Sequence, residues 1–134
     1  MKKKMIIIGG GISGIYLSIL LKKYLDMDVV VLEANDKPLK KLLATGNGRC
    51  NLSNKDLDKA HYDGDIKPWV NDIIHDFDIV EALKDIGLYT KYMGNLLYPY
   101  SESAKAVQTL FLNRAEEYGV KIICDEEVLS IKKS

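Results

Sequence analysis

The stretch Gly9-Gly10-Gly11-Ile12-Ser13-Gly14 constrains this chain more than any other. It satisfies G-x-G-x-x-G and follows an apolar run, Met5 to Ile8. After it, Ile12, Ile15, Tyr16, Ile19 and Leu20 recur at helical spacing. A second apolar run, Val29 to Leu32, is rich in β-branched residues and is bounded by Asp28 and Glu33. Strand, glycine turn, helix and strand within about thirty residues make a βαβ unit. Both apolar runs read as strands buried on two faces, the habit of a parallel sheet.

In that setting each glycine has a physical task. Gly9 permits the tight turn, Gly11 lets backbone approach a pyrophosphate, and Gly14 lets the helix pack closely on the sheet. The helix start then offers its amides to phosphate charge. Ser18, four positions after Gly14, is small enough to extend the close packing. Glu33 lies nineteen positions after Gly14 at the end of the second strand, where a carboxylate accepts hydrogen bonds from an adenosine ribose. The same carboxylate repels a 2′-phosphate, which disfavours NADP. The candidate cofactor contacts of this unit are Gly9, Gly11, Ser13, Gly14, Glu33 and Ala34. FAD and NAD share the ADP half, so the unit does not choose between them.

A secretory leader is the competing reading, because Lys2 to Lys4 precede an uncharged run from Met5 to Leu21. Three consecutive glycines interrupt that run, no small-x-small cleavage site follows, and Lys22, Lys23 and Tyr24 come next. It is also shorter than the ~20 apolar residues of a membrane-spanning helix. The nucleotide reading therefore stands, with no membrane partner expected. Lysine plus arginine balances aspartate plus glutamate, 19 against 19, and no nucleic acid partner is expected from such a charge. Cys50 and Cys124 are too few and too widely spaced for a disulfide framework or a zinc site; they fit a reducing, cytoplasmic setting. His61 and His75 have no ligand spacing, so no metal is expected.

The 134 residues suffice for one domain. Asn35 to Asn54 reads as a long ordered loop with one helical turn near Leu39 to Leu43. Pro68 opens a helix with an apolar face of Trp69, Ile73, Ile74 and Phe77, and Asp78 with Glu81 caps a second one through Leu83 to Ile86, stopped by Gly87. Leu96 to Tyr98 reads as a short strand. Ser101 caps a helix whose face is Ala104, Val107, Phe111, Ala115 and Tyr118 and which Gly119 ends. Val120 to Cys124 and Val128 to Ile131 read as strands separated by the acidic turn Asp125 to Glu127. Trp69, Phe77 and Tyr118 are expected in the core.

Lys41 to Asn54 is the second signature. Gly46, Asn47 and Gly48 reach backbone shapes closed to most residues, and Arg49 places a fixed cation beside amide donors, so the loop can wrap a charged or planar ligand. A solvated surface turn is the plain alternative.

The glycine turn, Glu33, "KKLLATGNGRCNLSN" and "LLYPYSESAKAV" together resemble the YhiN-like (BaiN-like) family of FAD-binding flavoproteins. Lys41-Leu42, Gly46, Gly48-Arg49-Cys50-Asn51 and Ser53-Asn54 match that family's loop. Leu39-Lys40 stands where the family carries Gly-Arg, and Asn47 replaces a glycine. The resemblance implies an α/β fold: a three-layer Rossmann-like domain of the glutathione-reductase type with a central parallel sheet, incomplete at its C-terminus, plus a small helical lobe. Residues 1–134 would be the N-terminal part of that FAD-binding domain, with 55–93 as a helical excursion. Lys41, Leu42, Gly48, Arg49, Cys50 and Asn51 would border the flavin, and Val128 would lie where main chain meets adenine. Cys50 would pack or touch the cofactor without turning over, as no second cysteine is near in sequence. No catalytic residue is assigned.

Family members are longer, and the chain reaches Ser134 before the glycine-aspartate segment that completes their cofactor site, so it is expected to be inactive alone. Three readings stay open. The first is the FAD portion of a flavoprotein oxidoreductase moving hydride or electrons between a small-molecule substrate and an acceptor. The others are an NAD-dependent Rossmann enzyme and a nucleotide-binding module without catalysis. Apolar surface at an exposed sheet edge also implies self-association.

Overall fold

The computed structural model describes residues 2–57, 61, 62, 64 and 67–133. Its elements are β1 (Lys3–Ile8), α1 (Ile12–Tyr24), β2 (Met27–Leu32), β3 (Ser53–Asn54), α2 (Lys67–Asp76), α3 (Ile79–Asp85), β4 (Thr90–Met93), β5 (Leu96–Pro99), α4 (Ala104–Glu117) and β6 (Lys121–Ile123). A short 3-10 segment, Lys41–Gly48, lies between β2 and β3 and is broken at Thr45, Gly46 and Asn47.

The expected βαβ unit is present: β1 and β2 pair in parallel from Lys3↔Met27 to Ile8↔Leu32. β6 joins the other side of β2, in parallel, giving the order β1-β2-β6. Alternation sends Ile7, Val29 and Val31 to one face, where they meet Ile15 and Ile19 of α1 and Val107 and Phe111 of α4 in a single buried cluster. The fold is therefore α/β with a central parallel sheet. Ser18 is fully buried, and its Oγ donates to the Ile15 carbonyl at 2.6 Å, so the small residue serves the packing the spacing implied. The pair α2 and α3 forms the helical lobe, and α3 is moored to α1 by Tyr24 Oη donating to Asp85 Oδ2 at 2.7 Å and by Lys23 Nζ at 2.6 Å from Asp85.

Several expectations are corrected. β1 is not buried on two faces: Ile6 is 55% and Ile8 52% exposed. Among the described residues β1 pairs only with β2, and Ile6 and Ile8 stay more than half exposed. We expect this bared face to associate: sedimentation velocity should show a concentration-dependent larger species that Ile6→Lys diminishes, and a monomer at every concentration would contradict it. Val128 to Ile131 is not a strand. Backbone becomes strand only where a neighbour takes its hydrogen bonds, none does so here among the described residues, and Leu129 and Ile131 are exposed. Trp69 and Phe77 are not core: α2 buries Val70 instead and leaves Trp69 and Ile73 exposed, and Phe77, just past its end, is about half exposed. Tyr118 packs against the core as expected. The cap of α4 is Ser103, which accepts from Ala106 N–H at 3.2 Å, not Ser101. Glu102, at φ +48°, prevents the helix from starting earlier.

The antiparallel sheet β3-β5-β4 was missed. Its signal is Gly94-Asn95 between two four-residue strands, a two-residue hairpin loop. No helix among the described residues is long and apolar enough to cross a membrane.

Candidate functional site

Two hydrogen bonds fold the glycine turn against its neighbours. Gly9 N–H donates to the Leu32 carbonyl at 2.8 Å, tying the turn to the end of β2, and Leu39 N–H donates to the Gly10 carbonyl at 2.8 Å, tying it to the loop. Gly14 lies beneath: a Cβ there would stand 2.1 Å from the Gly9 carbonyl oxygen, so the first turn of α1 touches the glycine turn with no space for a side chain. Gly11 is the reverse case. A Cβ on it would meet nothing within 4 Å, so no protein atom requires a glycine there. Gly11 also caps α1 without a side-chain acceptor, and no acidic residue sits in the first turn. The leading amides of the helix are thus left for an anion.

Glu33 follows β2 and is 8% exposed. Its Oε2 accepts from Gly10 N–H at 2.7 Å, and its Oε1 accepts from Asn35 N–H at 2.8 Å and from Asn35 Nδ2 at 2.6 Å. The Asn35 backbone N–H is the leading cause of a carboxyl held below its ordinary pKa; burial opposes it, while the Asn35 amide, Gly10 and the charge of Lys40 reinforce it. Lys40 in turn is paired with Asp36. The segment after β6 closes this corner, because Asp125 N–H donates to the Asn35 carbonyl at 3.0 Å and Glu126 N–H to the Glu33 carbonyl at 2.9 Å.

These parts border a cleft of two halves. The half that carries the charged side chains, called the polar half for them, is about 400 Å³ and is lined by Gly9, Gly10, Gly11, Glu33, Asn35, Lys37, Leu39, Lys40 and Lys41. The apolar half, about 360 Å³, is lined by Ser13, Tyr16, Cys50, Asn51, Leu52, Phe77, Ile79, Ala82, Leu83 and Phe111. Ile12, Leu42 and Thr45 line both, so the halves adjoin. The loop reaches the apolar half by reversing at Gly46 and Asn47, both left-handed at φ +54° and +53°. A Cβ on Gly46 would lie 2.7 Å from Asn51 N. Cys50 is fully buried at φ +63°, and burial pushes its thiol up. The Thr45 side chain opposes that push by hydrogen bonding to the thiol.

The candidates thus sort by place. Gly9, Gly11, Glu33, Lys41 and Leu42 border the polar half, and Ser13, Leu42, Cys50 and Asn51 the apolar half. Gly14 supports from below. Ala34 lies between Glu33 and Asn35 and lines neither half; Gly48 and Val128 line neither. Arg49 turns away: its guanidinium carbon lies 4.9 Å over the Tyr98 ring, and Nη1 is 3.4 Å from Glu102 Oε1. Glu102 also pairs with Lys91 at 2.9 Å, so this cation fastens the loop to the antiparallel sheet. Sequence reasoning missed Asn35, Thr45 and Tyr16 as lining residues. Asn35, two positions beyond the acidic residue, was the readable signal, since asparagine bonds locally to nearby backbone and side chains.

The model of the HI0933-like protein Rossmann domain matches residues 3–134. Among curated proteins, a 3-dehydro-bile acid delta(4,6)-reductase of Clostridium scindens is 37% identical over 132 residues, covering 96% of this chain and 32% of the reductase. A ribosomal RNA dihydrouridine synthase of Haemophilus influenzae is 29% identical, with the same coverage of each. The chain spans about a third of the length of these relatives. Among solved structures, THI4 of Thermovibrio ammonificans superposes with a TM-score of 0.58 at 16% identity, over 92% of this chain and 37% of that one. BexE superposes with a TM-score of 0.55 at 18% identity, over 99% and 26%. The two structures support the fold alone.

Proposed function

The chain belongs to the HI0933-like family by its Rossmann domain, and from that premise we propose that it is the FAD-binding portion of a flavoprotein oxidoreductase. The observation that carries this reading is the two-part cleft: uncapped helix amides and a carboxylate at one end, an apolar chamber adjoining the other. An adenosine diphosphate needs the first and an isoalloxazine ring the second. The empty space at Gly11 fits the approach of a pyrophosphate, which a methyl group would obstruct. NAD shares the ADP half, but it leaves the chamber beside Cys50 and Asn51 without a purpose.

In this reading Gly9, Gly11, Ser13 and Gly14 form the phosphate turn, Glu33 and Ala34 mark the ribose corner, and Lys41 supplies a cation to the phosphates. Leu42, Cys50 and Asn51 border the ring, with Gly48 and Arg49 shaping their loop, and Val128 belongs to the adenine side. Bound FAD supplies hydride and electron transfer, while the chain's own residues bind, orient and exclude water. The names of both relatives describe addition of hydrogen, one to a bile acid and one to a nucleoside in RNA, which suits a two-electron reduction here. Zero net charge favours a small-molecule substrate over RNA. Residues 1–134 are, in this reading, part of the cofactor domain, with 55–93 as its helical excursion. Two cysteines without a disulfide fit a cytoplasmic site.

Titration with FAD tests the proposal. Flavin fluorescence should change saturably on addition of the chain, and ADP should reverse the change. Tight NAD binding without flavin binding would favour the NAD-dependent alternative, and no affinity for FAD, NAD or ADP would leave a module without cofactor.

A further inference from the structure

Glu33 makes more bonds to the chain than a carboxylate held in reserve for a ligand requires. A carboxylate offers about four acceptor positions, two on each oxygen. Oε1 receives the backbone N–H of Asn35 at 2.8 Å and its Nδ2 at 2.6 Å, which fills it. Oε2 receives Gly10 N–H at 2.7 Å and keeps one position open. Asn35 is itself held on its far side, where its carbonyl accepts from Asp125 N–H at 3.0 Å. Both residues border the polar half of the cleft.

We propose that Asn35 is a positioning residue that reserves Glu33 Oε1 for the chain and leaves Oε2 to accept a single ribose hydroxyl. The inference rests on the reading of the polar half as an adenosine diphosphate site, and it goes further by naming one hydroxyl, not the pair, as the group recognised there. A carboxylate left to swing would accept from both hydroxyls or from neither in a fixed way; the two bonds to Asn35 and the one to Gly10 give this one a single orientation.

Calorimetric titration of the unaltered chain with ADP, 2′-deoxy-ADP and 3′-deoxy-ADP tests the point without a mutation. One deoxy nucleotide should bind within about twofold of ADP, and the other should lose about tenfold, the cost of one charge-assisted hydrogen bond. Equal losses for both, or no loss for either, would overturn the single-hydroxyl assignment. Failure of ADP itself to bind would instead overturn the site reading on which the inference rests.

The role of Asn35 has its own readout. Asn35→Ala frees one position on Oε1, so the preference between the two deoxy nucleotides should shrink. The acid limb of ADP affinity should also move to higher pH, since a donor that favours ionised Glu33 is gone. Lys37, Lys40 and Lys41 on the loop, Asp36 paired with Lys40, and Cys124 and Asp125 after β6 share that neighbourhood, and the substitution alters none of them. An Asn35→Ala chain with the original preference and pH profile would show that Asn35 positions nothing.

Discussion

Gly14→Ala should destabilise the chain by about 3 kcal/mol, read as a fall in the urea midpoint with an unchanged slope. The added Cβ would stand 2.1 Å from the Gly9 carbonyl oxygen and 3.2 Å from Ile7 Cγ2. The first obstacle is backbone, so relief requires the start of α1 to move off the glycine turn. That movement would also loosen Ile15, fully buried one residue later, and the cluster it shares with Val31 and Phe111. The usual gain from replacing a helical glycine, roughly 1 kcal/mol, is too small to offset such a collision. An unchanged midpoint would mean that turn and helix are not in contact.

Glu33→Ala should cost both stability and nucleotide affinity. The substitution leaves Gly10 N–H and the two Asn35 donors without their acceptor in a corner where Glu33 is 8% exposed. Orphaned donors and a lost charge-assisted set together cost roughly 2–3 kcal/mol, and ADP should bind at least about tenfold more weakly. The pH dependence has a definite sign. The folded state holds the Glu33 carboxyl below its ordinary value of 4.5. Its contribution is therefore complete above that ordinary value and is lost as pH falls through the lower, folded one. Glu33→Gln should flatten this acid limb of the stability curve, and a limb of unchanged height would place the acid sensitivity elsewhere.

The βαβ unit was legible because each of its signals is local. Glycine spacing, helical periodicity and an acidic residue at strand's end are read directly from residues 5–33, and they describe contacts made within that same segment. What was not legible depends on distant partners. Val128 to Ile131 has a strand's composition but no neighbour to pair with among the described residues, and Trp69 with Ile73 has helical spacing without a surface to cover. The protein partners of Arg49, Tyr98 and Glu102, are about fifty positions away and bring it to the second sheet. Leu39 carries a further lesson. It stands where the resembled family has glycine, and the backbone there is left-handed at φ +60°, held by its N–H to Gly10 and by a side chain only 2% exposed. Burial of a leucine outweighs the backbone preference that a glycine would satisfy.

Gly11→Ala offers the most direct test, because it separates binding from folding. Gly11 has ordinary extended backbone, φ −73° and ψ 178°, and its added Cβ meets no protein atom within 4 Å. Loss of a glycine at the helix cap should cost at most about 1 kcal/mol. Dissociation constants for FAD and ADP should be measured beside urea unfolding on the original chain and on Gly11→Ala. The expected result is a nearly unchanged midpoint with affinity reduced at least about tenfold; a variant that binds both nucleotides as tightly as the original would contradict the placing of a pyrophosphate at Gly11.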